Sequence, residues 1–495
     1  MAERKRIYLC LAHMSESGME QKYIREAFDT NWVVPLGPNV NGFEKDLEDF
    51  VNQSSNPVEC DGECHGAADS AARLSKRVVA LSSGTAAVHL GLIACGVKPG
   101  DEVLVQSFTF CASTHPITYL GAKPVLIDSE PDTWNMDPAL LELAIADRIA
   151  KTGRKPAAIV PVALYGMPYK ADHIMAIADR YGIPVVEDAA EGFGSRYKGR
   201  MLGTFGKYGV LSFNGNKMIT TSGGGALITA NEDEWREIMM YATQYRESYP
   251  YYQHEKIGYN YRMSNICAGI GRGQMTVVEE HLLHHKHVQA LYEELLADVD
   301  GIHVHGQPGA AAQAGTPSSQ SAESQAGTPA YQAVPVFDSN FWLCTITIDP
   351  EVRIKGQENA YQSVVKGAVG GAAGVIHIAE SAHTDCEPNA NVEALRVLMD
   401  QAQIEARPLW KPMHKQPCYT RMDTVVDTAS ERSTEPTTEH LPDGIDCITS
   451  GASVAYVNGV SEALFKVGMC LPAGPYVSDD DVRYIVETIK NAIVR

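Results

Sequence analysis

Short apolar runs alternate with amphipathic stretches from residue 78 to residue 230. Val78-Val79-Ala80-Leu81 reads as a strand that enters a glycine turn. Thr85 to Cys95 then reads as a helix of small and apolar residues, stopped by Gly96. Glu102-Val103-Leu104-Val105 and Lys123 to Asp128 follow as strands, and a helix is predicted from about Pro138 to Ile149. Ala157 to Val162 is the next strand, Tyr169 to Tyr181 a helix, and Pro184 to Asp188 another strand. This β-α-β rhythm predicts an α/β fold with a mainly parallel sheet covered by helices. Ligands of such sheets sit beyond the carboxyl ends of the strands. Ile7 to Ala12 reads as an additional first strand. Glu279 to Val299 reads as one amphipathic helix that bridges to a smaller C-terminal domain. The predicted division is therefore 1–278 for the N-terminal segment and large domain, and 279–495 for the bridging helix and small domain.

Four stretches break this pattern. Gly306 to Gln332 is rich in Ala, Gln, Ser, Gly, Thr and Pro, cannot bury a core, and is expected to be disordered or a mobile surface loop. About Asn52 to Arg73, Gly367 to Pro388 and Asp423 to Gly444 look like insertions for the same reason. A chain of 495 residues is too long for one small core, in keeping with two or more domains. No apolar run approaches the ~20 residues that a membrane span needs. The basic start, Met1 to Arg6, is followed by too short an apolar run for a signal core, so a cytoplasmic location is expected. A net charge of −20 argues against nucleic acid as partner, because phosphate backbones require a basic face. It leaves room for a nucleotide ligand, which needs only a local basic cluster. Eleven cysteines without framework spacing suggest free thiols in a reducing compartment. Cys60-x3-Cys64-His65 lacks a second ligand pair at metal-site spacing, so no metal is expected.

The chemistry concentrates at three places. Lys217 follows Ser212-Phe213-Asn214-Gly215-Asn216 and precedes Thr220-Thr221-Ser222-Gly223-Gly224-Gly225. A lysine after a short strand, with glycines behind it, can approach a flat cofactor, and its amine can form a Schiff base with an aldehyde. Asp188 closes the strand Val185-Val186-Glu187-Asp188, ahead of Ala189-Ala190-Glu191. Ser82-Ser83-Gly84-Thr85-Ala86-Ala87 supplies a turn and a helix start. Together they read as the parts of a pyridoxal phosphate site: phosphate cradle, carboxylate for the pyridinium nitrogen, and lysine. Taken singly, Lys217 could be a solvated surface charge, and Asp188 could cap a helix starting at Ala189.

On these stretches the chain resembles the DegT/DnrJ family of pyridoxal phosphate-dependent nucleotide-sugar aminotransferases. Further matching blocks are Gly37 to Glu44, Ser107 to Ser113, Gly258 to Asn265, Arg407 to Gln416 and Leu464 to Gly474. Within that family it is most similar to enzymes acting on UDP-linked 4-keto-6-deoxy-N-acetylhexosamines, by the texture of Gly258 to Asn265 and Arg407 to His414. The resemblance implies a fold-type-I aminotransferase. Such a fold has a large domain with a mainly parallel sheet of the seven-stranded type and a smaller α+β domain. It implies that Lys217 holds the cofactor and then shuttles the proton, and that Asp188 keeps the pyridine nitrogen protonated. Gly84, Thr85 and Ser212 would bind the phosphate at a helix N-terminus. Phe110 would stack on the ring, although in isolation it would read as core, and Glu191 would lie near the ring hydroxyl or on an exposed helix. Asn260 would reach the phosphate of a neighbouring subunit in a homodimer with its active sites at the interface. His13, Arg407, Lys411 and His414 would approach the substrate, or the last three would form an ordinary polar loop. Relatives that dehydrate sugars carry histidine in place of the lysine, so Lys217 favours transamination, with L-glutamate as the implied donor. The rivals are a 3-aminotransferase, an enzyme for dTDP- or GDP-linked sugars, and a cofactor-binding regulator without turnover.

Overall fold

The computed structural model describes residues 5–53, 76–309, 335–360, 388–420 and 436–494. The stretches 52–73, 306–332 and 367–388 and the first part of 423–444 lie almost wholly outside these residues, as does the Cys60/Cys64/His65 cluster.

The apolar runs form one large sheet. In spatial order its strands are Arg77–Leu81, Gly225–Thr229, Tyr208–Ser212, Val186–Asp188, Ala158–Val160, Glu102–Gln106 and Lys123–Ile127. The Gly225–Thr229 strand pairs antiparallel with both its neighbours, and the remaining pairings are parallel. Val186–Asp188 and Ala158–Val160 are joined through the parallel bridges Ile159 to Val185 and Val162 to Asp188. Strands such as Val78 to Leu81 and Val103 to Gln106 are buried on both faces, which explains why they read as continuous apolar runs rather than as alternating ones. The connecting helices Gly84–Ala94, Pro138–Thr152 and Ala171–Tyr181 cover the faces, close to the sequence expectation. The expected strand Ile7 to Ala12 does not form. Ile7 makes a single parallel bridge to Ile404, and the chain then runs along the small domain.

The bridging helix, Val278–Leu296, buries His281, His285, Val288, Tyr292 and Leu296 along one side. Its C-terminal half packs into a second core made by the sheet of Ile302–Val304, Cys344–Ile348, Gly468–Leu471 and Arg407–Pro408 with the helices Ala390–Gln401 and Asp479–Ala492. The large sheet also receives three strands from the C-terminal half. Val454–Val457 lies parallel to Lys123–Ile127, and Ile445–Thr449 and Thr437–Leu441 follow antiparallel. The end of the stretch 423–444, expected as loop, is thus an edge strand. Its sequence, Thr-Thr-Glu-His-Leu, is mostly exposed, and an exposed strand leaves little apolar period to read.

The added strand Val454–Val457 leads into the helix Val460–Val467, whose start is held by a buried carboxylate. Asp128, at the end of its own strand, accepts from the amides of Ser129 (2.8 Å), Gly459 (3.0 Å), Asn458 (3.2 Å) and Ser461 (3.2 Å). Asp128→Ala would leave the buried amides of Ser129 and Ser461 without a partner. It is expected to destabilise the protein by about 3 kcal/mol, on the scale of ~1–3 kcal/mol for each unsatisfied buried group, read as a lower urea midpoint with unchanged slope. A midpoint equal to the parent's would show that the helix start finds other partners.

Candidate active site

The turn after the first strand is built by close packing. Ser83 caps the helix Gly84–Ala94 by accepting from the Ala86 amide at 3.0 Å. A Cβ at Gly84 would fall 3.0 Å from Ser212 Cβ, and one at Gly225 would fall 2.4 Å from the Gly84 nitrogen. The helix start, Ser212 and the Gly225 strand therefore meet with no room for a side chain at Gly225 and little at Gly84. Among the described residues, the amides of Gly84 and Thr85 and the hydroxyls of Thr85 and Ser212 have no protein hydrogen-bond partner. Donors at a helix N-terminus, beside a cradle that a Cβ would fill, fit a phosphate.

Asp188 ends its strand buried. Its Oδ2 accepts from Ser113 Oγ at 2.6 Å and its Oδ1 from the Ala190 amide at 3.1 Å. Residues 189–191 are not helical, so Asp188 does not cap a helix. Burial pushes its carboxyl up, while Ser113, Ala190 and the nearby Lys217 ammonium pull it down. Glu191 is also buried, not on an exposed helix. Its Oε1 accepts from Lys217 Nζ at 3.1 Å, and its Oε2 from the Tyr165 amide at 2.8 Å. Burial raises the Glu191 carboxyl, and the Lys217 charge opposes the rise. Lys217, Asp188 and Glu191 are thus brought together at the carboxyl end of the sheet, beside a cradle made by Gly84, Thr85 and Ser212. An acid that can hold a pyridine nitrogen protonated, a lysine and anion donors make a set that fits pyridoxal phosphate.

The other predicted residues are placed differently. Phe110 is half-exposed, with its ring 5.6 Å from Trp410, which suits a residue that stacks on a ligand better than a core residue. The His13 ring lies 4.1 Å from that of Tyr476, tilted by 52°, and Ala12 beside it donates to the Gly215 carbonyl in the Lys217 loop. His414 is buried with both ring nitrogens engaged: Nδ1 lies 2.7 Å from Ser107 Oγ and Nε2 2.9 Å from Glu462 Oε1. It therefore ties the 411–416 loop to the protein. Lys411 lies in that loop, where its carbonyl accepts from Gln416 Nε2. Arg407 points to Glu405 at 2.9 Å and is half-exposed. Asn260 is exposed on a segment bridged to Thr243, and no bond joins it to the Lys217 cluster within this chain.

Sequence reasoning passed over four neighbours. Ser113 lies in the matching block Ser107 to Ser113, where a lone serine carries no signal of its own. Tyr165 accepts from the Trp410 amide at 2.9 Å, and the rings of these two lie 5.0 Å apart. Trp342 presents its ring 4.0 Å from Lys217 Nζ. Trp342 and Trp410 are two of only five tryptophans, which was the available signal.

Fold and site together define a pyridoxal phosphate-dependent aminotransferase of fold type I. Residues 71–326 match the DegT/DnrJ/EryC1/StrS aminotransferase family, and the chain belongs to that family. It is 37% identical over 485 residues to a Bacillus subtilis protein named as pyridoxal phosphate-dependent aminotransferase EpsN, covering 98% of this chain and 95% of that one. It is 38% identical over 280 residues to GDP-perosamine synthase of Caulobacter vibrioides, covering 57% and 68%. The fold matches a DegT DnrJ EryC1 StrS aminotransferase from Brucella abortus at a TM-score of 0.66 and 23% identity, covering 96% and 95%. The protein is a pyridoxal phosphate-dependent sugar aminotransferase. Among the described residues, no helix is long and apolar enough to cross a membrane.

Gly84→Ala would push a methyl against Ser212 and spread the cradle. Losing one charge-assisted contact of ~1.5–3 kcal/mol is expected to raise the cofactor Kd roughly ten- to a hundredfold, measured by titrating cofactor-free protein. An unchanged Kd would mean that the phosphate binds elsewhere.

Proposed function

We propose that the enzyme moves an amino group from L-glutamate to the 4-keto carbon of a UDP-linked 4-keto-6-deoxy-N-acetylhexosamine, in cytoplasmic sugar biosynthesis of the bacterial type. The observation that carries the reaction is the Lys217 amine 3.1 Å from Glu191, in a site that also holds the buried Asp188. The choice of sugar rests on the likeness of Gly258 to Asn265 and Arg407 to His414 to enzymes for such substrates.

In this reading Lys217 holds pyridoxal phosphate, which when bound supplies an electron sink for the carbanion at the reacting carbon. Gly84, Thr85 and Ser212 bind its phosphate. Asp188, oriented by Ser113, holds the proton on the ring nitrogen through a charge-assisted bond. Phe110 covers the ring, and Glu191 lies near its hydroxyl. Once free, the Lys217 amine takes the proton from the glutamate α-carbon and would deliver it to the cofactor's C4′, on the far side of the shared nitrogen. In the second half it runs the same transfer in reverse for the keto sugar. Lys411, His13 and Arg407 form the substrate wall, and His414 orients that wall. Two chains form a homodimer in which Asn260 of each completes the phosphate site of the other. The GDP-perosamine synthase likeness favours a second reading, with a GDP-linked keto sugar as acceptor.

Incubating the enzyme with glutamate and a panel of UDP-, dTDP- and GDP-linked 3- and 4-keto sugars, with products identified by mass and NMR, tests the substrate. Amination of the UDP-linked 4-keto sugar alone is expected, and amination of the GDP-linked sugar alone would replace this reading with the second. Borohydride should fix the cofactor to Lys217, and Lys217→Ala should lose that label and roughly 10²–10⁴-fold in rate. Asp188→Asn should bind cofactor yet lose most activity; parent-level turnover would reduce Asp188 to a structural role. Mixing inactive Lys217→Ala with inactive Asn260→Ala should restore some activity. No rescue despite proven subunit exchange would mean that each chain builds its own site.

A further inference from the structure

The backbone on both sides of Lys217 is held from outside its own loop. The Gly215 carbonyl accepts from the Ala12 amide at 3.2 Å, the Asn216 carbonyl from Trp342 Nε1 at 2.6 Å, and the Met218 carbonyl pairs with His281 Nδ1 at 3.2 Å. Trp342 holds the lysine in two ways. Its N–H fixes the peptide just before Lys217, and its ring face lies 4.0 Å from Nζ. Trp342 is itself pinned. Asn340 Oδ1 accepts from the Trp342 amide at 2.8 Å, while Asn340 Nδ2 donates to the carbonyls of Glu191 (2.8 Å) and Phe193 (2.9 Å). The same asparagine thus sets the spacing between Glu191 and Trp342, the two groups that flank the amine. An indole face attracts a cation most strongly where water is excluded, and Trp342 is 3% exposed.

From this geometry we propose that Trp342 is a positioning residue for the reaction. It keeps the freed Lys217 amine aimed into the site, beside Glu191, between the two half-reactions, and it orients the same amine when the cofactor is first captured. This inference rests on the reading of Lys217 as the cofactor-bearing lysine.

Two variants separate the contacts. Trp342→Phe keeps a ring face and drops the N–H; Trp342→Leu drops both. In cofactor-free protein, capture of pyridoxal, which lacks the phosphate and so bypasses the cradle, is trapped with borohydride and located by peptide mapping. The capture rate is expected to fall in the order parent, Phe, Leu, with melting midpoints within a few degrees of one another. In loaded enzyme, Trp342→Leu should lower kcat by about 10²-fold, as for a small misplacement of a reacting group, with KM for glutamate little changed. The isotope effect with α-deuterated glutamate should rise, because proton transfer becomes slower than the other steps. Parent-rate capture and an unchanged isotope effect in both variants would overturn the proposal. If Trp342→Leu does not fold, parent-rate capture by Trp342→Phe would do so alone. A label on a lysine other than Lys217 in the parent would sink the site reading itself, which keeps the two failures apart.

Discussion

Asp188 and Glu191 are both withdrawn from water within three residues of each other, and Lys217 brings the compensating charge. Burying a carboxylate is costly unless it is paired and hydrogen-bonded. Each acid here is satisfied on both oxygens, Asp188 by Ser113 and Ala190, Glu191 by Lys217 and Tyr165. The turn from 188 to 194 cannot relax without exposing these bonds. Asn340 grips the carbonyls of Glu191 and Phe193 in that turn, and Tyr165, whose amide donates to Glu191, has a left-handed φ of 55°.

A second chain of contacts runs to the opposite wall. Asp128 anchors the helix Val460–Val467, and Glu462 in its first turn reaches His414, which in turn reaches Ser107 at the end of the strand Glu102–Gln106. Burial pushes the Glu462 carboxyl up, but His414 and Lys415 outweigh it and hold the carboxyl below its usual range. The serine, histidine and carboxylate resemble a hydrolytic triad only in composition. Ser107 is buried, and its hydroxyl also accepts from the His414 amide, so it has no access to a substrate. The strands added to the sheet edge thus deliver the helix that orients the 411–416 loop.

The sheet and the lysine, aspartate and glycine turn were legible in the sequence because their signals are local. An apolar strand, a glycine turn and a small-residue helix occupy consecutive positions, Lys217 follows a strand and Asp188 ends one. Two elements were not legible. Ile7 to Ala12 has strand composition, yet it runs where one bridge to Ile404 is available, so tertiary placement overrode propensity. Thr437 to Leu441 has little apolar character because it is an exposed edge. At the site, Ser113, Tyr165, Trp342 and Trp410 act through contacts between residues tens to hundreds of positions apart, which no local spacing encodes. His414 shows the converse: the family resemblance implied substrate contact or an ordinary polar loop, and long-range partners at Ser107 and Glu462 engage both its ring nitrogens.

The groups proposed for the chemistry stand at the ends of large-sheet strands, while the groups that hold the Lys217 loop come from elsewhere. Ala12 belongs to the N-terminal segment, His281 to the bridging helix, and Trp342 to the stretch that leads into the small sheet. Each takes a different carbonyl, so their effects on the loop are not interchangeable. A displacement of the small sheet would pull on Asn216 through Trp342. A rotation of the bridging helix would pull on Met218 through His281, one residue on the other side of Lys217. The backbone on both sides of Lys217 is therefore held by three separate elements, each through its own carbonyl.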